Sequence, residues 1–344
     1  MLKVAVFFIT LSIFPLGVFA SEKSVTNVPP VWIETPSDRY PDQTYMTAVG
    51  EGHTQKEAEA AAVEALAAIF NRRIESQTQS SLDYASIQGK DAAKMDKRVN
   101  RTISISTNID QLIGVEIKET WLSPDGTYYA LAVLEKSKTL AIYKGKIDLN
   151  NQTITSLIDI PVGVKNTMTE FARYKVAYAK AGENAAYLSL LLQLNPAVSS
   201  LVNDEKLTPS VIKAKWRAVG DAMPIAVAVR GDKNDKLKSA FAKVFTTAGF
   251  TLSSPDTSRY SMAVTLDTTN EKIPGNNKVV LRYSLAASLM DHISGETLLP
   301  FSLSGREVHL NKESAELKMF KTLDKKIMEN FQAAFEEYVT SLGE

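Results

Sequence analysis

With 344 residues, 44% of them hydrophobic, the chain is long enough for about two packed domains at the usual ~150 residues each. Lysine plus arginine and aspartate plus glutamate number 39 each, so no net field recruits nucleic acid. Cysteine is absent, which excludes thiol catalysis, thiolate metal sites, disulfides and acylation at a cysteine.

The first twenty residues, "MLKVAVFFITLSIFPLGVFA", place Lys3 ahead of an almost wholly apolar Val4–Phe14 run and end in Val18-Phe19-Ala20. That layout predicts a secretory signal peptide over 1–20, cleaved between Ala20 and Ser21, and a periplasmic protein. The apolar core is short of the ~20 residues that a spanning helix needs. Residues 21–29 read as a flexible lead-in, broken by the prolines that follow. Tyr45 to Val49 alternate as a strand, then Gly50-Glu51-Gly52 and His53 lead to Thr54-Gln55-Lys56-Glu57, a capping box for a helix. Ala58, Ala62, Ala65, Leu66, Ile69 and Phe70 share one face of that helix, and so much alanine lets a sheet come close.

Polar residues follow, and then Lys90, Lys94, Lys97, Arg98 and Arg101 fall on one helical side as a candidate basic surface, interrupted by Asp91 and Asp96. Leu112–Trp121 and Thr127–Lys136 flank Ser123-Pro124-Asp125-Gly126 as a hairpin. After it the period changes: Leu140, Tyr143, Ile147, Ile154 and Leu157 keep a seven-residue a/d spacing, with Asn150 at one such position. Pro161 and Gly163 break this helix, and a second one, over about Lys165 to Leu194, carries Met168, Phe171, Tyr174, Tyr178, Ala185, Leu188 and Leu192. The pair predicts an antiparallel helical hairpin over 137–195 with arms of ~35–45 Å.

Residues 196–209 read as a polar linker, and 210–344 as an α+β domain. Its expected elements are a strand in "MPIAVAVRG", a helix over Asp235–Ala248, strands at 260–267, 277–291 and 296–309, and a helix over Lys312–Leu342 capped by Asn311. Ser294-Gly295 would turn the long hairpin of an antiparallel sheet with two helices on one face.

The pattern of Pro30 and Trp32, then Tyr40-Pro41, then "Y-x-x-A-V-G-x-G" from Tyr45 to Gly52, the alanine helix, Trp121 and "YYALAVLEK" resembles the LPP20 family of bacterial envelope proteins over about residues 30–136. The resemblance implies an envelope protein without enzymatic activity, related in fold to the N-terminal domain of a periplasmic flagellar assembly protein. The C-terminal part resembles the small α+β domain that opens TolB-like periplasmic proteins. Many family members are lipoproteins with a cysteine directly after the signal peptide; Ser21 stands there in this chain, which implies a form without a lipid anchor.

Gly50 and Gly52 precede a helix N-terminus, where free N–H groups favour an anion. A dinucleotide fingerprint needs a third glycine where Gln55 stands, no P-loop lysine follows, and Glu51 would repel a phosphate, so a tight structural turn is the expectation. Trp32, Tyr40 and Tyr45 are read as core residues; exposed together with Gly50, Gly52 and His53 they would instead form a candidate binding patch. His292 and His309 are read as two solvent-side residues of the last hairpin; facing each other across it, they would instead form a weak transition-metal site. No helical H-x-x-x-H and no G-x-S-x-G is present, so no metal, cofactor or catalytic residue is nominated.

The expected protein is therefore a non-catalytic α+β envelope protein in three parts. It would bind or scaffold an unidentified envelope protein, with flagellar or other surface-structure assembly carried by family analogy. Its helical arm, too long to bury both sides in its own domain, would serve as an interaction surface or homo-oligomer contact, or as a rigid spacer. The basic surface is read as a solvated helix face, with peripheral contact to a membrane or glycan as its alternative and no nucleic acid. A small-ligand or glycan-binding module and a hydrolase without a recognised motif stay open as alternatives.

Overall fold

The computed structural model describes residues 28–69, 113–195, 198, 205–232, 234–254, 258–272 and 278–343. The signal-peptide reading with its Ala20–Ser21 junction and the basic stripe from Lys90 to Arg101 lie outside them. Two compact units are present. Among the described residues, the first runs to Leu66 and resumes over Val115–Glu135, and the second begins for the most part at Lys136.

The first unit has a three-stranded antiparallel sheet in the order β1-β3-β2, from β1 (Tyr45–Gly52), β2 (Val115–Leu122) and β3 (Tyr128–Glu135). Helix α1 (55–69) follows β1. The period of two sorts the side chains: Met46, Ala48 and Gly50 of β1 share a face with their β3 partners Leu134, Ala132 and Ala130. The opposite face carries Tyr45 and Val49, with Leu131, Val133, Tyr129 and Trp121, in a cluster closed by Trp32 and Tyr40. Gly126, at φ +90°, makes the β2–β3 turn, where Asp125 accepts from the Ser123 hydroxyl and the Thr127 N–H.

In the second unit, α2 (Lys136–Ile158) and α3 (Met168–Leu194) form the predicted helical hairpin. Tyr143, Ile147, Asn150 and Ile154 of the a/d series are buried. Thr167 caps α3 by accepting from the Glu170 N–H at 3.2 Å, and Glu170 reaches back to the Asn166 N–H. Helix α4 (Pro209–Ala222) lies where the polar linker and the start of the next domain were expected. Its proline sits in the first helical turn, where a missing N–H costs nothing, and Ile212 and Val219 turn inward beside Trp216.

Beyond it come β4 (Ile225–Arg230), α5 (Lys236–Ala248), β5 (Leu252–Ser253), β6 (Tyr260–Lys272), β7 (Val279–Asp291) and β8 (Thr297–His309). The sheet order is β5-β4-β6-β7-β8. The β6–β7–β8 meander is antiparallel, as the hairpin pattern implies, and β4 and β5 extend it in parallel. The last helix runs from α6 (Lys312–Lys326) through a π turn (Ile327–Phe331) into α7 (Gln332–Gly343). Asn311 accepts from the Ser314 N–H at 2.8 Å, the cap that the sequence predicts.

One face of this sheet is covered. Phe241 and Phe245 of α5 meet Phe331 and Phe335 edge-on, and Phe171 of α3 stacks 4.1 Å from Phe250. The flank of α3 left free by α2 is occupied by α4 and α7, so the hairpin shares one core with the C-terminal sheet. That sharing is how so long an arm buries its second side. The other sheet face bears Ala228, Ala263, Ala286 and Ser288, small residues beside exposed arginines. Among the described residues, no helix is long and apolar enough to cross a membrane.

Candidate functional site

The glycine turn of the first unit is built around a close helix–sheet approach. A Cβ on Gly50 would stand 2.1 Å from the Ala62 nitrogen and 2.5 Å from the Ala58 carbonyl oxygen; one on Gly52 would stand 2.6 Å from the Ala58 nitrogen. Both glycines point to the same side of β1, and α1 answers with Ala58 and Ala62, each fully buried.

The start of α1 is already capped. The Glu57 N–H donates to Thr54 Oγ1 at 3.2 Å, and the Glu57 carboxylate accepts from the backbone N–H groups of His53 (2.9 Å) and Thr54 (3.1 Å). The chain's own carboxylate thus occupies the position an incoming anion would use. His53 itself is exposed.

Trp32 is 5% exposed and packs on Leu131 and Val133. Tyr40 and Tyr45 meet edge-to-face at 5.4 Å between ring centres, and Trp121 lies 5.6 Å from Tyr129. The aromatic group and the glycine pair therefore lie on opposite faces of the sheet, and the six candidate binding residues do not converge.

His292 and His309 do not meet across the hairpin, so the alternative of a weak metal site there fails. His309 pairs with Val279 at one end of the β7–β8 hairpin, whereas His292 lies in the turn at the other end. The strand register centres the hairpin on Ser294, and two residues placed so unequally about that centre cannot face each other. His292 instead lies 2.7 Å from the Ser261 hydroxyl through Nε2. Among the described residues no group of three or more His, Asp or Glu side chains is placed to hold a metal ion.

Two charged arrangements of the second unit escape a reading by motif. Arg259 grips Asp291 through Nε (3.0 and 3.1 Å) and a terminal nitrogen (2.7 Å), and its other terminal nitrogen donates to the Asn166 carbonyl ahead of α3. Burial raises the Asp291 carboxyl, yet Arg259 and the Ile293 N–H outweigh it and hold the group below the usual carboxylate range. The second is Arg282 of β7, directly opposite Arg306 of β8 on the uncovered face. The turn alone does not signal it: a bulge between Leu289 and Met290 shifts the register by one, and counting outward from the pairs at the turn would set Arg282 opposite Gly305.

The first unit is thus a small α+β domain whose glycines, alanines and aromatics are spent on its own packing. Residues 30–135, about a third of the chain, match the family model described as LPP20 lipoprotein, so this part of the chain is similar to that family. No curated protein matches the sequence. Among solved structures, the chain is similar to the secreted protein HP1454 from Helicobacter pylori at 15% identity, covering 83% of this chain and 98% of that one with a TM-score of 0.42. A minor lipoprotein from Acinetobacter baumannii matches at 16% identity over 32% of this chain and 92% of its own, TM-score 0.25. Lipoprotein GNA1162 from Neisseria meningitidis matches at 18% identity over 31% and 99%, TM-score 0.24.

Proposed function

We propose that the protein works without catalysis in the periplasm, binding another envelope protein through the outer surface of its LPP20-type domain. The observation that carries this reading is the inward use of the family's own motif residues. Trp32, Tyr40 and Tyr45 close one face of the sheet, and Gly50 and Gly52 admit α1 against the other. A small-ligand or glycan module would need those groups around one cleft, and they are divided between two faces. What the domain offers instead is a rigid exterior, the kind of surface that docks a partner with little rearrangement. Assembly of a flagellar or other surface structure is the process that family analogy suggests.

Crosslinking in intact cells of the native host, followed by mass spectrometry, tests this. The expected result is a recurrent envelope protein joined to residues 30–135, on a captured chain that begins at Ser21. Crosslinks confined to cytosolic proteins, on a chain that keeps its first twenty residues, would overturn the assignment.

A further inference from the structure

The uncovered face of the C-terminal sheet holds an electrostatic arrangement that folding alone does not favour. Strand register sets Arg282 directly opposite Arg306, with Thr269 completing the row on β6. Like charges in that position destabilise a sheet. Glu271 reaches Arg282 at 3.3 Å through Nε only, with both side chains more than half exposed. Arg306 has no ion-pair partner among the described residues. The neighbouring row adds Ser304, which with the two arginines lines a shallow concavity. The other carboxylate on this face is Asp267, a row away opposite Ser284, while Glu307 turns to the covered side and accepts from the Thr322 hydroxyl.

We propose that Arg282, Arg306 and Ser304 form a binding site for a phosphoryl or sulfuryl oxyanion. Opposed residues stand ~5 Å apart between Cα atoms, so both guanidinium forks reach one tetrahedral group lying over the row. Each fork offers paired N–H donors, and the hydroxyl serves a remaining oxygen. A carboxylate is satisfied by one fork and leaves the second arginine facing it uncompensated. A tetrahedral oxyanion takes both and cancels the repulsion. The ligand is therefore a phosphate or sulfate ester, either soluble or carried on a lipid headgroup. Glu271 competes with it for Arg282.

Thermal melting of the whole protein in chloride, phosphate and sulfate at equal ionic strength tests the site, because a ligand of the native state raises the transition. The unsubstituted protein is expected to melt higher in phosphate or sulfate than in chloride. Arg306→Ala should melt higher than the unsubstituted protein in chloride, once the opposed charge is gone, and lose the anion response, with affinity down about tenfold or more. Glu271→Gln should strengthen the response by several-fold. Cosedimentation with phosphatidylglycerol vesicles, against phosphatidylcholine as control, separates the sources. Phosphate-competed retention assigns a lipid headgroup, and an anion response without retention assigns a soluble ester. An anion response that survives Arg306→Ala, or no anion response together with no retention, would overturn the proposal.

Discussion

At the scale of single residues, position 50 tolerates nothing larger than hydrogen. A methyl group there would meet the backbone of α1 on two sides, at Ala58 and Ala62, and backbone cannot step aside as a flexible side chain can. Gly50→Ala is expected to cost ~3 kcal/mol or more by this overpacking, measured as a lower denaturant midpoint for the first unit. Gly145, on the open side of α2, provides the contrast, because a methyl group there would meet nothing within 4 Å. Gly145→Ala should stabilise by about 0.5–1 kcal/mol through helix propensity alone, read as a higher midpoint for the second unit. The reason for Gly50 was half legible. Two glycines spaced by two must share a strand face, and alanines spaced by four must share a helix face. That the two faces meet is a tertiary fact, so the same letters also read as a phosphate cradle until the helix is seen lying across them.

Among elements, the helical hairpin shows what pattern conveys and where it stops. The seven-residue spacing placed Asn150 on the inner side of α2 correctly, but its partners depend on how the Pro161 loop aligns the arms. The structure aligns it with Asn184 and Glu183: Asn150 donates to Asn184 at 2.9 Å and to Glu183 at 3.2 Å, and Asn184 donates in turn to Asn151 at 2.8 Å. Asn184→Ala should therefore cost about 1 kcal/mol, because it removes one of the two acceptors of the buried Asn150 amide and leaves only Glu183. Replacing Asn150 and Asn184 together by leucine should restore most of that stability, the difference being read from chemical denaturation of the single and double variants. Helix α4 escaped the sequence reading for a local reason. Its Thr-Pro start follows a polar run, and a proline is easily taken as a break when it stands in a first turn.

For the whole molecule, the α+β class, the order of the elements apart from α4 and the short β5, and the resemblance of residues 30–135 to the LPP20 family could be read in advance. The joining of the hairpin to the C-terminal sheet could not, since it rests on contacts between residues far apart in sequence, such as the Tyr260 hydroxyl accepting from the Met168 N–H at 3.2 Å. Arg259 and Asp291 reinforce the same junction. With its folded pKa depressed, Asp291 contributes stability that is complete above the unfolded carboxylate value of about 3.9 and is lost as pH falls through the lower folded value. The stability gap between the unsubstituted protein and Asp291→Asn should accordingly narrow in denaturation series run from pH 6 toward pH 2. Tyr338 acts at the alkaline end. Burial first, helped by Tyr260, Asp291 and Glu296, pushes its hydroxyl up to about 12, so its share of stability fades as pH climbs from the ordinary tyrosine value of about 10 toward that figure.

The final helix has a bearing on how the polypeptide is made. Ala315, Met319, Leu323, Ile327, Phe331, Phe335 and Val339 are all buried, at a strict step of four. A four-step drifts about 40° per repeat around an α-helix, so α6 lies on the sheet while α7, past the π turn, lies on α3. A ribosome delivers this segment after every surface it must cover. Until it emerges, Phe241, Phe245 and Phe250 lack the Phe331 and Phe335 rings that cover them, and the nascent chain carries an unfinished core. Products stopped short of Ile327 should consequently be cleared by proteases or held by chaperones, and should not persist as a folded shorter protein.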